Sequence, residues 1–361
     1  MPKAKPQDLL KLLWHQTLSD YVTAISWSPD GAWFAASSAA GEVALYAAKT
    51  GEITVLQEAQ GESVDALAVS CDGAFLAAGG QAGMVWIWQL GGGTPTLVTT
   101  LPHARAWIDR LQWHPQHPEL AFSLGRYAQV WDATTQSIVT TLNFESSSVL
   151  DLAWHPQGDR LSISGNQSIK TWRRRDWDDD PIVREIGGAS GAIAWSPDGT
   201  HLASGNNDHS VLVWEDPNPH PWRMQGFPGK VRQLTWSMPK TTPKATTTAK
   251  PRLASISGEG VVVWTKDRDP SIGWNAQVLD MHQGVTRAIA FQPHSLLLAS
   301  AAEDGWICLW HKASHLAQIL QGAPAGFSCL AWNSQGHAIA AGGSRGEVFL
   351  WTENTKGKGF G

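Results

Sequence analysis

Residues 193–214 read IAWSPDGTHLASGNNDHSVLVW. Ser-Pro-Asp-Gly is a turn signal, and it separates two short stretches in which apolar and polar residues alternate, the period of a half-buried strand. Trp214 closes the stretch. The same grammar recurs in AISWSPDGAWFAASSAAGEVALY (24–46), LAVSCDGAFLAAGGQAGMVWIW (67–88), LQWHPQHPELAFSLGRYAQVW (111–131) and LAWHPQGDRLSISGNQSIKTW (152–172). It returns in LTWSMPK and RLASISGEGVVVW (within 234–264), IAFQPHSLLLASAAEDGWICLW (289–310) and LAWNSQGHAIAAGGSRGEVFLW (330–351). The closing aromatics Tyr46, Trp88, Trp131, Trp172, Trp214, Trp264, Trp310 and Trp351 are spaced 42, 43, 41, 42, 50, 46 and 41 residues apart. One unit is therefore repeated eight times head to tail, with an insertion in the sixth copy.

Each copy supplies three strands, and a fourth apolar run follows most of them: 53–57, 96–101, 137–142, 276–281 and 317–321. Four strands in a unit of about 40 to 45 residues make the blade of a β-propeller. The expected fold is all-β: a single closed propeller of eight four-stranded antiparallel blades over residues 1–361, with seven blades as the alternative. An exposed sheet edge is a liability that closure removes. Little but TENTKGKGFG follows Trp351, whereas LLKLLWH (9–15) stands spare at the other end. Residues 9–15 are expected to complete the last blade, 238–251 to form a flexible insert in blade six, and 352–361 to be a disordered tail. Of the 21 Trp, seven close third strands and six more (Trp27, Trp113, Trp154, Trp195, Trp236, Trp332) end first strands. The repeat thus assigns 13 of them to packing between blades.

The SPDG turn, the LAS strand and the closing Trp resemble the WD40-repeat family over nearly the whole chain. The family's Trp-Asp pair survives at Trp131-Asp132, with Trp214-Glu215 close to it. The resemblance implies a hydrogen-bonded set of His, Ser, Asp and Trp in each blade. Only the seventh copy keeps all four, as His282, Ser300, Asp304 and Trp310; the fifth keeps Ser204, Asp208 and Trp214. Most blades are therefore expected to rest on apolar packing. The resemblance also implies partner binding on the face that carries the links into first strands. Carried over by position, the residues there are Tyr21, Thr23, Trp107, Asp109, Leu150, Lys230, Arg232, Arg287, Glu303 and Ser344. Trp107 and Tyr21 would make one side of the mouth aromatic, and Lys230, Arg232 and Arg287 would make the other cationic, suiting an acidic-aromatic peptide.

Composition narrows the function. Net charge is −5 with both signs interspersed, whereas nucleic acid and anionic membranes call for a basic field. No run of 18 apolar residues occurs. The three cysteines, Cys71, Cys308 and Cys329, are isolated, which points to a reducing, cytoplasmic location and to no metal-type pair. His114 and His117 have a ligand-like spacing, but WHPQ recurs at 154–157 in the same turn, and two His do not fill a tetrahedral shell. No catalytic constellation and no cofactor site stands out. RRRDWDDD (173–180) balances its charges and reads either as a solvated loop or as a docking loop anchored by Trp177. With 215–222, 265–274 and the sixth-copy insert it collects on the face opposite the links. Trp177, Trp222 and Trp274 there either anchor a partner or begin buried fourth strands. Asp65, Asp109 and Asp151 recur at matching places and could gather at the channel mouth. The chain is expected to be a non-catalytic scaffold that binds protein or peptide partners as a monomeric ring within a larger complex. A small-molecule or metal-binding propeller, or a hydrolase, using the central channel is the alternative.

Overall fold

The computed structural model describes residues 8–91, 93–103, 106–237, 251–269 and 271–354. Among the described residues every regular element is a β-strand, and all strand pairings are antiparallel. Six sheets have four strands and one has seven. The first unit shows the plan: Val22–Trp27, Trp33–Ser38, Val43–Ala47 and Ile53–Gln57 pair in that order. The seven-stranded sheet joins the fourth and fifth units, because Ile182–Trp195 is one continuous strand, outermost in one unit and first in the next.

The turn between first and second strands explains why SPDG recurs. In the first unit the Asp30 carboxylate accepts the Ser28 hydroxyl at 2.7 Å and the Ala32 amide at 2.9 Å. Asp72 and Asp198 repeat the pattern with Ser70 and Ala74, and with Ser196 and Thr200. Gly31, Gly73 and Gly199 then take φ between 67° and 73°, a left-handed conformation that suits glycine. Those donors, the Ala32 amide first and the Ser28 hydroxyl next, hold the Asp30 carboxyl below its ordinary range.

Successive first strands pack on one another through the units, and Val22–Trp27 lies against both Val64–Val69 and Phe327–Trp332. Tryptophan stitches these neighbours. Five of the six Trp that end first strands donate the indole N–H to a carbonyl on the preceding unit's first strand. Trp113 reaches Ala68 (2.9 Å), Trp154 reaches Gln112 (3.2 Å) and Trp236 reaches Ala194 (3.0 Å). Trp332 reaches Ala290 (3.2 Å), and Trp27 reaches Ala331 of the eighth unit (3.0 Å). Trp195 donates instead to the Ser162 hydroxyl (3.1 Å). Side chains also bridge forward: Ser26, Gln112, Asp151 and Gln233 accept the amides of Val69, Trp154, Ile193 and Ile289.

The strand Leu10–Thr17 pairs with Glu347–Glu353 at the outer edge of the eighth unit. Thr352 and Glu353, assigned on sequence to the tail that starts at 352, are paired with Lys11 and Leu10. An outer ladder needs only backbone groups, so polar side chains do not end it. The tail beyond Asn354 and the insert at 238–250 lie outside the described residues; Pro251, the insert's last position, is buried. The fourth strand of the sixth unit runs Trp274–Leu279, two residues ahead of the apolar run at 276–281.

Turns of neighbouring units also dock. The His114 ring meets the turn glycine of the next unit, its Nε2 bonding the Gly158 carbonyl at 2.8 Å, and Gln292 does the same to Gly336 at 2.7 Å. A Cβ on Gly158 would lie 2.2 Å from the His114 ring, at φ +74°. Gly158→Ala is therefore expected to cost about 1–3 kcal/mol, read as a lower urea midpoint at unchanged slope.

Candidate functional site

In an antiparallel four-stranded unit the turn after the first strand and the loop after the third lie at one end. The link into the first strand and the turn after the second lie at the other. Tyr21, Trp107, Asp109, Lys230, Arg232, Arg287 and Glu303 all fall at the second, link end. Trp107 is 61 % exposed, far more than a core indole. Ile108 beside it is fully buried: its Cγ2 lies 2.6 Å from where a Cβ on Gly79 would stand, and its amide donates to the Gly80 carbonyl at 3.1 Å. The same device recurs. Tyr21 precedes Val22, buried against Gly342, and Lys230 precedes Val231, buried against Gly205. A buried apolar plug thus fixes the backbone, and the residue before it is exposed at Trp107 and Lys230 and half-buried at Tyr21.

The charged residues divide into pairs and free groups. Arg287 Nε donates to Glu303 Oε1 at 2.8 Å, and its Nη2 meets the same oxygen, so that cation is matched. Tyr21 sits close enough to this pair to feel both charges; burial raises its hydroxyl pKa, the Cys329 thiol adds, and Arg287 opposes. Lys230 and Arg232 are exposed, and among the described residues no side-chain ion pair holds either. Arg232 borders a cleft of about 500 Å³ between the first strands of units three to six, together with Arg110, Gln112, Asp151 and Gln233. Arg110 Nε bonds Asp151 Oδ1 at 3.1 Å, and Asp151 Oδ2 accepts the Ile193 amide at 2.8 Å. Burial pushes the Asp151 carboxyl above its ordinary range, with Arg110 opposing. Asp109 is raised too, by loss of water first, with Arg110 opposing and Asp65 adding. Asp65 is thus near enough to Asp109 for its charge to be felt, while Asp151 is tied to Arg110. Among the described residues no group of three or more His, Cys, Asp or Glu is placed to hold a metal ion.

The four residues of the seventh copy form one chain. His282 Nδ1 lies 2.9 Å from Asp304 Oδ2, its Nε2 lies 2.8 Å from Ser300 Oγ, and Trp310 Nε1 donates to that hydroxyl at 2.9 Å. In the fifth copy Asp208 is engaged by Arg223 at 2.8 Å, a cation where the seventh has His282. Trp131 Nε1 of the third copy is buried without a partner, as apolar packing alone would leave it.

At the turn end, Trp274 begins a fourth strand and is 9 % exposed, while Trp222 begins one at 36 % exposure. Trp177 is half-buried and packs edge-on against Trp154 with ring centres 6.0 Å apart. His114 takes a structural part: its Nδ1 accepts the Gln116 and His117 amides at 3.0 Å. Sequence reading missed a buried ionic group here. Asp216 accepts Arg160 Nη1 at 2.7 Å and Arg184 Nη2 at 2.8 Å, and Glu119 takes both Arg174 Nε and Nη2. These partners are 32 to 56 residues apart, so no local spacing announces them. Cys308 and Cys329 are pushed up to about 12 and about 11 by burial, which keeps both thiols protonated and inert at neutral pH.

Burial lowers the pKa of His114 and His201. The unfolded chain takes up these protons near pH 6.5 and the folded chain only below that, so stability falls as pH drops through about 6.5. Asp109 and Asp151, raised in the fold, act in the opposite sense at lower pH. Gln292 shows that a glutamine can make the turn-to-turn bond of His114. His114→Gln is expected to keep neutral-pH stability within about 1 kcal/mol and to flatten the loss between about pH 7 and 5.5, measured by urea unfolding at each pH.

These sheets define an all-β repeat protein built from antiparallel four-stranded units, with a link end and a turn end. The profile of the WD40 family (WD domain, G-beta repeat) matches residues 9–46, 52–89, 136–173, 187–215 and 273–311, half of the chain. The chain belongs to the WD40-repeat family. It is 24% identical to Protein HIR1 of Cryptococcus neoformans over 185 residues, which is 44% of this chain and 19% of that protein. It is 33% identical to the Denticleless protein homolog of Danio rerio over 88 residues, 24% of this chain and 12% of that one. It is 26% identical to the protein transport protein SEC13 of Chaetomium thermophilum over 118 residues, 31% of this chain and 36% of that one. In each case the alignment spans little more than a third of the relative's length, or less.

Proposed function

We propose that the eight units close into one propeller and that the chain is a non-catalytic platform, binding a protein segment at its link face. Closure is supported by the first unit's contacts: Trp27 reaches the eighth unit as Trp332 reaches the seventh, and the first and last strands pair. The first strands then surround a central channel, and Arg232, Lys230 and Trp107 border its mouth. Binding as the function is supported by relatives whose names share no single chemistry, one of them a protein transport protein; fold alone does not bring a reaction with it. Three free cysteines suit a reducing cytoplasmic compartment.

The observation that carries the reading is Trp107, an exposed indole on a backbone locked by the buried Ile108. Aromatic and Arg side chains are the usual anchors of interfaces, and a fixed anchor loses little entropy on binding. Trp107→Ala is expected to change folding stability by no more than about 0.5 kcal/mol yet to weaken partner capture by about tenfold or more. Arg232→Ala is expected to act in the same direction. Affinity purification with the two variants and the native chain tests this. An unchanged set of captured proteins from folded variants rejects the link face as the binding surface.

A further inference from the structure

The loop 173–180 at the turn end separates two clefts of opposite charge. One, of about 660 Å³, is lined by Arg160, Arg173, Arg174 and Arg175, with His117 and the carboxylates Asp159 and Asp216 among its walls and no lysine, so cations outnumber acids there. The other, of about 560 Å³, is lined by Glu145, Trp177, Asp178, Asp179 and Asp180, with Lys170 at its side. The sequence balances these charges, and the fold sorts them onto two sides of one ridge.

Within the first cleft, Arg160 is held by Asp216 and Arg174 by Glu119. Arg175 is exposed, and among the described residues its side chain meets no hydrogen-bond or ion-pair partner. Arg173 leans across the ridge to Asp179 at 3.0 Å, both side chains more than 40 % exposed, so the pair is solvent-screened and easily exchanged. The Arg175 fork is thus open to a ligand, and that of Arg173 opens when a ligand takes the place of Asp179. Planar forks match phosphate oxygens bidentately, which an ammonium does not. In the second cleft the Glu145 carboxylate is taken by Lys170 at 2.8 Å, while Asp178 and Asp180 are exposed beside the half-buried Trp177. Carboxylates next to an indole face receive a guanidinium or ammonium group.

We infer that this ridge is a bipartite docking site for a peptide carrying one phosphorylated side chain and a basic residue close to it in sequence. The phosphate lies between Arg173 and Arg175, and the basic side chain crosses to Asp178, Asp180 and Trp177. The acidic half also selects against nucleic acid. A chain with a phosphate on every nucleotide would lay charge along Asp176, Asp178, Asp179 and Asp180, whereas a peptide presents a single phosphate and a cation. The site lies at the opposite end of the units from Trp107 and does not depend on the link face being used.

The test uses the full chain, immobilised, and a peptide library with a fixed phosphoserine and randomised flanks, alongside its unphosphorylated counterpart. The phosphorylated library is expected to be retained about tenfold better, with Arg and Lys enriched in the flanks. By fluorescence anisotropy, the best phosphopeptide is expected to lose about tenfold in affinity to Arg173→Ala/Arg175→Ala. Asp178→Asn/Asp180→Asn should remove the flanking basic preference and keep the phosphate preference, and Trp107→Ala should change neither. Equal retention of the two libraries, or an affinity untouched by the arginine variant in a folded chain, overturns the inference. So does inorganic phosphate competing as well as the peptide, which would make this an anion site only. Single-stranded RNA binding as tightly through the same arginines, or phosphate selection without basic flanks, would overturn the bipartite reading.

Discussion

Deletion of residues 1–17 is expected to be the most damaging change to this chain, because the strand Leu10–Thr17 binds three units at once. It pairs with Glu347–Glu353 along its length. Gln318 of the seventh unit clamps the Leu10 backbone from both sides, accepting its amide at 2.9 Å and donating to its carbonyl at 2.7 Å. Trp14 crosses to the first unit, stacking on Phe34 and Tyr46 at 5.8 and 5.9 Å, covering Gly51, and donating its indole N–H to the Ala48 carbonyl at 2.9 Å. Without the strand, Glu347–Glu353 becomes an open edge with unpaired backbone groups. The deletion is expected to lower the melting temperature by more than about 10 °C and to promote aggregation. Trp14→Ala alone is expected to cost about 3 kcal/mol. Leu13→Ala, at an exposed position where the pairing register slips, should cost less than about 1 kcal/mol. A melting temperature unchanged on deletion would show that the ends of the chain do not hold each other.

The second large effect lies at Asp216. Its two carboxylate oxygens serve two guanidiniums, and one of them, Arg184, has only 5 % of its side chain exposed. Its further hydrogen bond is to the Thr171 hydroxyl at 3.3 Å. Removing the carboxylate leaves a cation desolvated and without a counter-charge, which costs more than the ion pair itself contributed. Asp216→Ala is expected to destabilise by about 3–5 kcal/mol. Adding Arg184→Met, which takes away the stranded charge and keeps the apolar stem, should recover most of that loss in urea unfolding. If the double variant is no better than the single one, the effect is one of packing and not electrostatic.

What the sequence disclosed and what it hid divide by the range of the contact. Strand alternation, the SPDG turns and the closing Trp are local, and each of these reads directly into a sheet. The set of His282, Ser300, Asp304 and Trp310 was legible because four specific side chains recur at family spacing. The stitches between units were not. The acceptors of Trp27, Trp113, Trp154, Trp236 and Trp332 are backbone carbonyls, which carry no side-chain identity to read. The role of His114 was hidden for the same reason, since its partner is the Gly158 carbonyl. The merging of units four and five into one strand is not legible because GGASG (187–191) has the composition of a loop, although Ser190 and Ala192 pair across to Asn206 and Gly205. Position gave Trp107 its place on the link face, but only the fold shows that Ile108 locks it there.

That arrangement has an evolutionary consequence. Trp107 and Lys230 stand out in solvent, while their neighbours Ile108 and Val231 are embedded in the fold. One position holds the architecture and the adjoining one bears only on the surface, so the face of the molecule can be rewritten letter by letter without renegotiating how it keeps its shape.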